Sequence, residues 1–188
     1  MEYFYDFEII NKQKIGEYRF GGVWALFGVE KGDSLNKYRC LNVGKSKCIS
    51  DEIQVDLDRL EKFILLKQSK KKYKNQFNEV IFEYKEYSTR LDFVYKDISD
   101  KYKDLIFILV YRGDNGYNVE KYFAYSTKAL YWVSNGRYKH DTKVTKADMD
   151  RIKNNIDVSN VDSDLINKIN TLNKALDKVY KLELIENN

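Results

Sequence analysis

The sequence predicts an α+β domain with a small mixed or antiparallel sheet flanked by helices. Two short strand-like runs joined by a turn lie near the N-terminus, and an unbroken apolar run, LIFILVY, occupies residues 105–111. Helical apolar patterns separate these runs and follow them. With 188 residues, the chain is long enough to form one complete hydrophobic core.

The first two strands are predicted at residues 20–29 and 38–43. The first contains mostly β-branched, aromatic and aliphatic residues, and the turn cluster Lys31-Gly32-Asp33-Ser34 follows it. Two strands joined by such a turn favour a β-hairpin. The run at residues 105–111 shows no polar alternation, which indicates a strand buried on both faces.

Helices are predicted between and after these strands. Ser50 has the properties of a helix N-cap, and apolar residues follow it with helical spacing as far as Ile64. Further helices are expected at residues 91–102 and 117–131. A short strand at residues 80–82 and a short helix that opens at Thr145 complete this region.

The C-terminal segment carries an apolar stripe typical of an amphipathic helix. The stripe consists of Val161, Leu165, Ile169, Leu172, Leu176 and Val179. We predict an α+β domain over residues 1–140 and a C-terminal helical extension, residues 141–188, that packs on it.

The composition is typical of a folded globular protein, with 43% hydrophobic and 33% charged residues. No apolar run approaches the ~20 residues that a membrane span needs. The first residues, MEYFYD, carry acids where a signal peptide has basic residues. A cytoplasmic protein is therefore expected. The two cysteines and the single histidine lack metal-binding spacing.

Gly44-Lys45-Ser46 matches the end of a phosphate-binding loop, but the rest of that motif is missing. The motif requires a glycine five residues before Gly44, where this chain has Arg39, and the residues between are apolar and strand-like. Nucleotide binding of this type is not predicted.

The net charge of +4 is unevenly distributed. Residues 61–75 contain six lysines and one acid, whereas the segment from Asp157 onward is acidic. A clustered basic segment suits a nucleic-acid partner, although charge runs are also common on plain solvated surfaces. The lysines expected to contact nucleic acid are Lys45, Lys47, Lys67, Lys70, Lys71, Lys72 and Lys74.

Two tripeptides and a distant glutamate give the chain a resemblance to the GIY-YIG nuclease family. Gly22-Val23-Trp24 lies in the first strand and Asn42-Val43-Gly44 ends the second, where the family carries its name-giving tripeptides. Glu120 opens a helix after a buried strand, and Leu130-Tyr131-Trp132 resembles the segment that closes that helix. The resemblance covers residues 20–135 and implies the family's fold.

The resemblance implies hydrolysis of a DNA phosphodiester with one divalent metal, Mg²⁺ or Mn²⁺, held by Glu120. The family's two tripeptide tyrosines, which orient or activate water, are matched by Trp24 and Asn42. Neither residue has a phenolic hydroxyl. A restriction, mobile-element or phage-conflict setting is the context that the resemblance implies.

The family's arginine on the first helix has no counterpart, because the matching segment is Asp51-Glu52-Ile53. Lys45, Lys47 or Arg59 would have to supply the cation that stabilises the anionic transition state. The candidate catalytic residues are therefore Trp24, Asn42, Lys45 and Glu120.

Two alternatives keep the same fold without catalysis. In one, the chain is an inactive nucleic-acid-binding relative, because the family's hydroxyls are replaced. In the other, it is a protein-interaction module, such as an inhibitor or an assembly partner, that forms a homodimer or binds a protein through its C-terminal helix.

Overall fold

The computed structural model describes residues 1–69, 90–132 and 153–186, which form an α+β fold around a five-stranded antiparallel sheet. The strands are β1 (Tyr3–Phe4), β2 (Phe7–Ile9), β3 (Gly22–Glu30), β4 (Tyr38–Ser46) and β5 (Tyr102–Arg112). The helices are α1 (Ile49–Ser69), α2 (Arg90–Lys101), α3 (Tyr117–Ser126) and α4 (Ser163–Glu186), with a short 3₁₀ helix at Lys12–Glu17.

The sheet has the order β1-β2-β5-β3-β4, and every neighbouring pair is antiparallel. The predicted hairpin is confirmed, since β3 pairs with β4 and sets Val23 opposite Lys45 and Trp24 opposite Gly44. β3 also pairs with β5 on its other side. The two tripeptides therefore lie on neighbouring strands, and α1 follows β4 directly.

Both faces of the sheet are covered, because β3 alternates its side chains between two buried layers. Trp24 and Leu26 pack with α1 and α2, whereas Val23, Ala25 and Phe27 pack with α3 and α4. In β5, Phe107 packs with α1 and α2, and Ile108 packs with α3 and α4. This confirms the prediction that the strand is buried on both faces.

The prediction that α3 extends to Tyr131 is wrong, because the helix ends at Ser126. Lys128 adopts a left-handed conformation with φ 55°, and the Ala129 amide donates to the Ala124 carbonyl. This pattern ends a helix by reversing the chain direction. The amides of Leu130 and Tyr131 then donate to carbonyls of Cys40 and Leu41, so this segment covers the outer edge of β4.

Ser50 is not the N-cap of α1. The helix begins at Ile49, and the Glu52 amide donates to the Cys48 carbonyl, which places the N-cap at Cys48. Just before the helix, the Ser46 hydroxyl accepts a hydrogen bond from the Cys48 amide. The hairpin formed by β1 and β2, which turns at Tyr5 with φ 52°, was not predicted.

The apolar stripe of α4 packs on the subunit itself. Ile169, Leu172 and Leu176 are buried in the same layer as α3, and the Tyr122 hydroxyl donates to Asn170 Oδ1 over 2.9 Å. The amphipathic helix predicted from the stripe is confirmed, and its apolar face contributes to the core.

Several predictions lie outside the described residues, namely the strand at 80–82, the short helix at 145–152 and Lys70, Lys71, Lys72 and Lys74. Lys67 lies on α1. In the part of the chain that the structure describes, no helix has the length and apolar character needed to cross a membrane.

Candidate functional site

The two tripeptide strands are joined by a close contact between Trp24 of β3 and Gly44 of β4. The Trp24 side chain is 1% exposed and packs against Phe107, with ring centroids 5.5 Å apart. A Cβ atom at position 44 would lie 2.4 Å from Trp24 Cζ2. Only glycine therefore leaves room for the indole, which lies across the backbone of β4.

Glu52, in the first turn of α1, lies beside this contact and is partly buried. Burial is the largest cause that raises the pKa of its carboxyl, and the charges of Asp56 and Glu120 raise it further. The Ser46 hydroxyl and the Trp24 indole N–H favour the charged form and limit the rise. Glu52 therefore lies near Trp24 of β3 and Ser46 of β4.

Glu120 lies in the first turn of α3, which packs on the other face of the sheet. Its Oε1 accepts a hydrogen bond of 2.9 Å from the Trp132 indole N–H. Burial raises the pKa of Glu120, and the Trp132 hydrogen bond and the charges of Lys45 and Lys121 oppose the rise. Trp132 follows the segment that covers β4, so the chain beyond the end of α3 orients the carboxyl in the first turn of that helix.

Glu52 and Glu120 are both partly buried and lie on helices that pack on opposite faces of the sheet. Burial raises the pKa of each carboxyl, and the charge of Glu120 is the smallest of the causes that act on Glu52.

An exposed aromatic ring with two lysines lies next to Glu120. Tyr117, the first residue of α3, is 50% exposed, and its ring centroid is 4.1 Å from Lys121 Nζ and 5.9 Å from Lys45 Nζ. Lys45 is exposed at the end of β4. We call Lys45, Tyr117 and Lys121 the basic aromatic patch; its two ammonium groups suit an anionic ligand that approaches Glu120.

Asp56 is a third buried acid on α1, and Arg59 neutralises it. Arg59 Nη1 donates to Asp56 Oδ1 over 2.8 Å. Burial raises the pKa of Asp56 to about 6, against hydrogen bonding from Tyr95 and the charge of Arg59. Because Arg59 is held by Asp56, Lys45 is better placed to supply the cation that the GIY-YIG resemblance implies.

Three of the four predicted catalytic residues, Trp24, Lys45 and Glu120, lie near the end of β4. Trp24 lies near Glu52, and the charge of Lys45 opposes the rise in the pKa of Glu120. Asn42 pairs with Leu26 and is 6% exposed, inside the layer between the sheet and α1. Lys47 is exposed in the short connection between β4 and α1.

Glu52 was not predicted as a site residue, although the sequence carries a signal for it. Ile49, Ile53 and Leu60 are buried on α1, and Glu52 and Asp56 occur among them at helical spacing. An acid within the apolar face of a helix is costly to bury unless it is paired or functional. That argument identifies both residues before the sheet is known.

The Glu120 carboxylate is of the kind that binds a hard divalent cation. Within the described ranges, no group of three or more His, Cys, Asp or Glu side chains is arranged to hold a metal ion. Mg²⁺, however, is commonly bound through one or two carboxylates, with water and substrate phosphates completing its shell.

Comparison with known proteins gives no match to this chain: no protein-family model, no curated protein and no solved structure matches it significantly.

Substituting Gly44 by Ala should destabilise the protein by about 1–3 kcal/mol, because the new methyl group would collide with the Trp24 ring. Urea unfolding followed by circular dichroism measures the effect. Gly16→Ala is the matched control, since a Cβ atom at position 16 meets nothing within 4 Å. Equal stability of the two variants would contradict the close contact.

Because of Asp56, the free energy of unfolding should fall as the pH rises. Its pKa is raised from 3.8 to about 6 on folding, so its contribution is fully present below pH 3.8 and is lost as the pH rises through about 6. Relative to Asp56→Asn, the wild type should lose up to about 3 kcal/mol over that interval. Unfolding free energies measured from pH 4 to 7 test this, with the exposed Asp58→Asn as control.

Proposed function

We propose that this chain is a GIY-YIG-like protein that binds DNA and hydrolyses a phosphodiester bond with a divalent cation held at Glu120. The observation that carries the proposal is the meeting of Glu120 and Lys45 beside the two tripeptide strands. A carboxylate for a cation and an ammonium group for a phosphate are the two charges that phosphodiester hydrolysis requires. A restriction, mobile-element or phage-conflict role remains part of the proposal.

The order of elements supports this proposal. β3 and β4 carry the tripeptides, α1 and α2 follow, and β5 pairs with β3 on the side opposite β4. α3 comes directly after β5 and bears Glu120 in its first turn. The GIY-YIG resemblance implies the same succession of hairpin, helix, third strand and glutamate-bearing helix.

The chemistry follows from which groups can reach a phosphate. A bound Mg²⁺ or Mn²⁺ would stabilise charge that develops on the phosphate oxygens. Trp132 fixes one oxygen of Glu120, which leaves the other oxygen free of that hydrogen bond. Lys45 is exposed and close enough to lower the pKa of Glu120, so a phosphate held near Glu120 also lies within reach of its charge.

The basic aromatic patch supplies the DNA contact within the described residues. Lys45 and Lys121 would pair with phosphates, and the exposed Tyr117 ring offers a face on which an unpaired base can stack. Lys47 extends the positive charge along the same edge. The patch adjoins Glu120, so a strand bound there lies close to the proposed cation.

The alternative is an inactive DNA-binding relative. It is favoured by the loss of both tripeptide hydroxyls, since Trp24 and Asn42 are buried and neither can ionise at neutral pH. The protein-interaction alternative would require a surface other than the stripe residues Ile169, Leu172 and Leu176, which are buried within the subunit.

Nicking of plasmid DNA should require Mg²⁺ or Mn²⁺ and should be abolished by Glu120→Gln. The substitution keeps the shape of the side chain but removes the charge that holds the cation. DNA binding in a gel-shift assay should stay within about twofold, because the lysines are untouched. Glu17→Gln, at an exposed glutamate of the 3₁₀ helix, is the matched control.

Cleavage that survives Glu120→Gln would place the reaction elsewhere. Wild-type protein that binds DNA without any metal-dependent nicking would select the inactive relative.

Replacing Lys45 and Lys121 together by Ala should weaken DNA binding and flatten its salt dependence. Each lost phosphate contact reduces the slope of log K against log salt by about 0.9 for duplex DNA, so the double variant should lose nearly two units. Titrations by fluorescence anisotropy between 50 and 200 mM NaCl measure the slope. Lys168→Ala with Lys174→Ala, both exposed on α4, removes the same charge elsewhere and should leave the slope unchanged.

A further inference from the structure

One side of α3 alternates aromatic and basic residues. Tyr117, Lys121 and Tyr125 recur every four residues, which places them along the same side of the helix. Val119 and Phe123, which α3 buries, lie on the opposite side. The three residues span about 12 Å of the helix, and each is at least partly exposed.

Contacts with other parts of the chain extend this row of side chains at both ends. At the beginning of α3, the Tyr117 ring centroid lies 5.9 Å from Lys45 Nζ of β4 and 4.1 Å from Lys121 Nζ. Beyond the end of α3, the partly exposed Trp132 ring packs edge-on against Tyr125, with centroids 5.2 Å apart. We call the three rings of Tyr117, Tyr125 and Trp132 the aromatic strip.

The carboxylate of Glu120 is joined to the aromatic strip by a hydrogen bond. Trp132 Nε1 donates to Glu120 Oε1 over 2.9 Å, and the same indole ring packs on Tyr125. Glu120 also lies on α3 between Tyr117 and Lys121 in the chain. A nucleotide that binds along the strip would therefore lie next to the carboxylate to which the cation is assigned.

An aromatic strip with interleaved lysines distinguishes a single strand from a duplex. In a duplex, each base is paired and stacked between its neighbours, so an aromatic side chain cannot cover its face unless the base leaves the stack. In a single strand, bases stack on aromatic rings while cationic side chains contact the backbone phosphates. Tyr117 is 50% exposed although Lys121 lies over its ring, so part of the side chain remains accessible to a base.

We propose that the preferred substrate of this site is single-stranded DNA, which binds along the aromatic strip with its phosphates at Lys45 and Lys121. This inference rests on the proposed function, because it narrows the substrate from DNA in general to an unpaired strand. Tyr117 is the principal stacking residue, since it is the most exposed member of the strip. Trp132 has a second role, because it also orients Glu120.

DNA binding by the full chain, measured by fluorescence anisotropy in EDTA so that no cleavage occurs, tests the inference. The probes are an oligothymidylate of about 12 nucleotides and a duplex of the same length. The wild type should bind the single strand about tenfold more tightly than the duplex, because only the single strand gains the stacking contacts. Tyr117→Ala should raise the Kd for the single strand by about fivefold or more and change the Kd for the duplex by less than about twofold.

Two control variants isolate the role of the Tyr117 ring. Tyr117→Phe keeps the ring and removes only the hydroxyl, so its Kd for the single strand should stay within about twofold of the wild type. Tyr3→Ala removes a ring that is 59% exposed on β1, at the opposite edge of the sheet from β4, and should leave both Kd values unchanged.

The salt dependence of binding separates stacking from charge. Lys121→Ala should reduce the slope of log K against log salt by about 0.7 for the single strand, because one phosphate contact is lost. Tyr117→Ala should weaken binding without changing that slope, because the ring carries no charge.

The outcomes separate this inference from the proposed function. Equal affinity of the wild type for the two probes would overturn the preference for single-stranded DNA, as would a Tyr117→Ala variant that binds the single strand like the wild type. Metal-dependent nicking of plasmid DNA that is lost in Glu120→Gln would in either case leave the proposed function intact. Absence of binding to both probes, in EDTA and in Mg²⁺ alike, would overturn both proposals.

Discussion

The close approach of the Trp24 indole to the backbone of Gly44 is the contact on which the candidate site depends. The ring fills the layer between the sheet and α1, and its N–H emerges beside Glu52. The same strand register pairs Val23 with Lys45, which faces the opposite side, toward Tyr117 and α3. A shift of one residue would exchange the two faces. One contact therefore fixes the positions of a buried donor, an exposed cation and the helices that bear both carboxyls.

Burial, rather than any single ion pair, has the largest effect on the pKa values of the acids in the candidate site. It is the largest cause of the raised pKa in Glu52, Asp56 and Glu120 alike. Asp56 has a guanidinium partner and is balanced within the fold, whereas Glu52 has neutral donors and two acidic neighbours. Leaving a partly desolvated carboxylate without a counterion is unfavourable. Helix α1 thus contains one acid that an ion pair neutralises, Asp56, and one that only neutral donors favour in its charged form, Glu52.

The sequence predicts the elements whose signals are local, and it fails where tertiary contacts decide. The strand β5 was predicted because burial on both faces requires an unbroken apolar run. The helix α4 was predicted because burial of one helical face requires apolar residues at helical spacing. The end of α3 was missed because Lys128 takes the left-handed conformation that a glycine usually adopts at the end of a helix. Glu52 was missed because the GIY-YIG resemblance implies an arginine in this segment. The signal for Glu52 is instead that an acid occurs within the apolar face of a helix. Only the fold shows that Lys45 and Glu120, far apart in sequence, lie close enough for the lysine charge to lower the pKa of the glutamate.

The replacement of a tyrosine by Trp24 has a specific chemical consequence under the proposed reaction. An indole N–H and a phenolic O–H both donate from the tip of a ring, so Trp24 can still orient a carboxylate. An indole nitrogen, however, neither accepts a hydrogen bond nor gives up its proton at accessible pH. Activation of water by the group at position 24 is therefore excluded. In the proposed reaction, a group outside the two tripeptides would have to accept the proton of the attacking water.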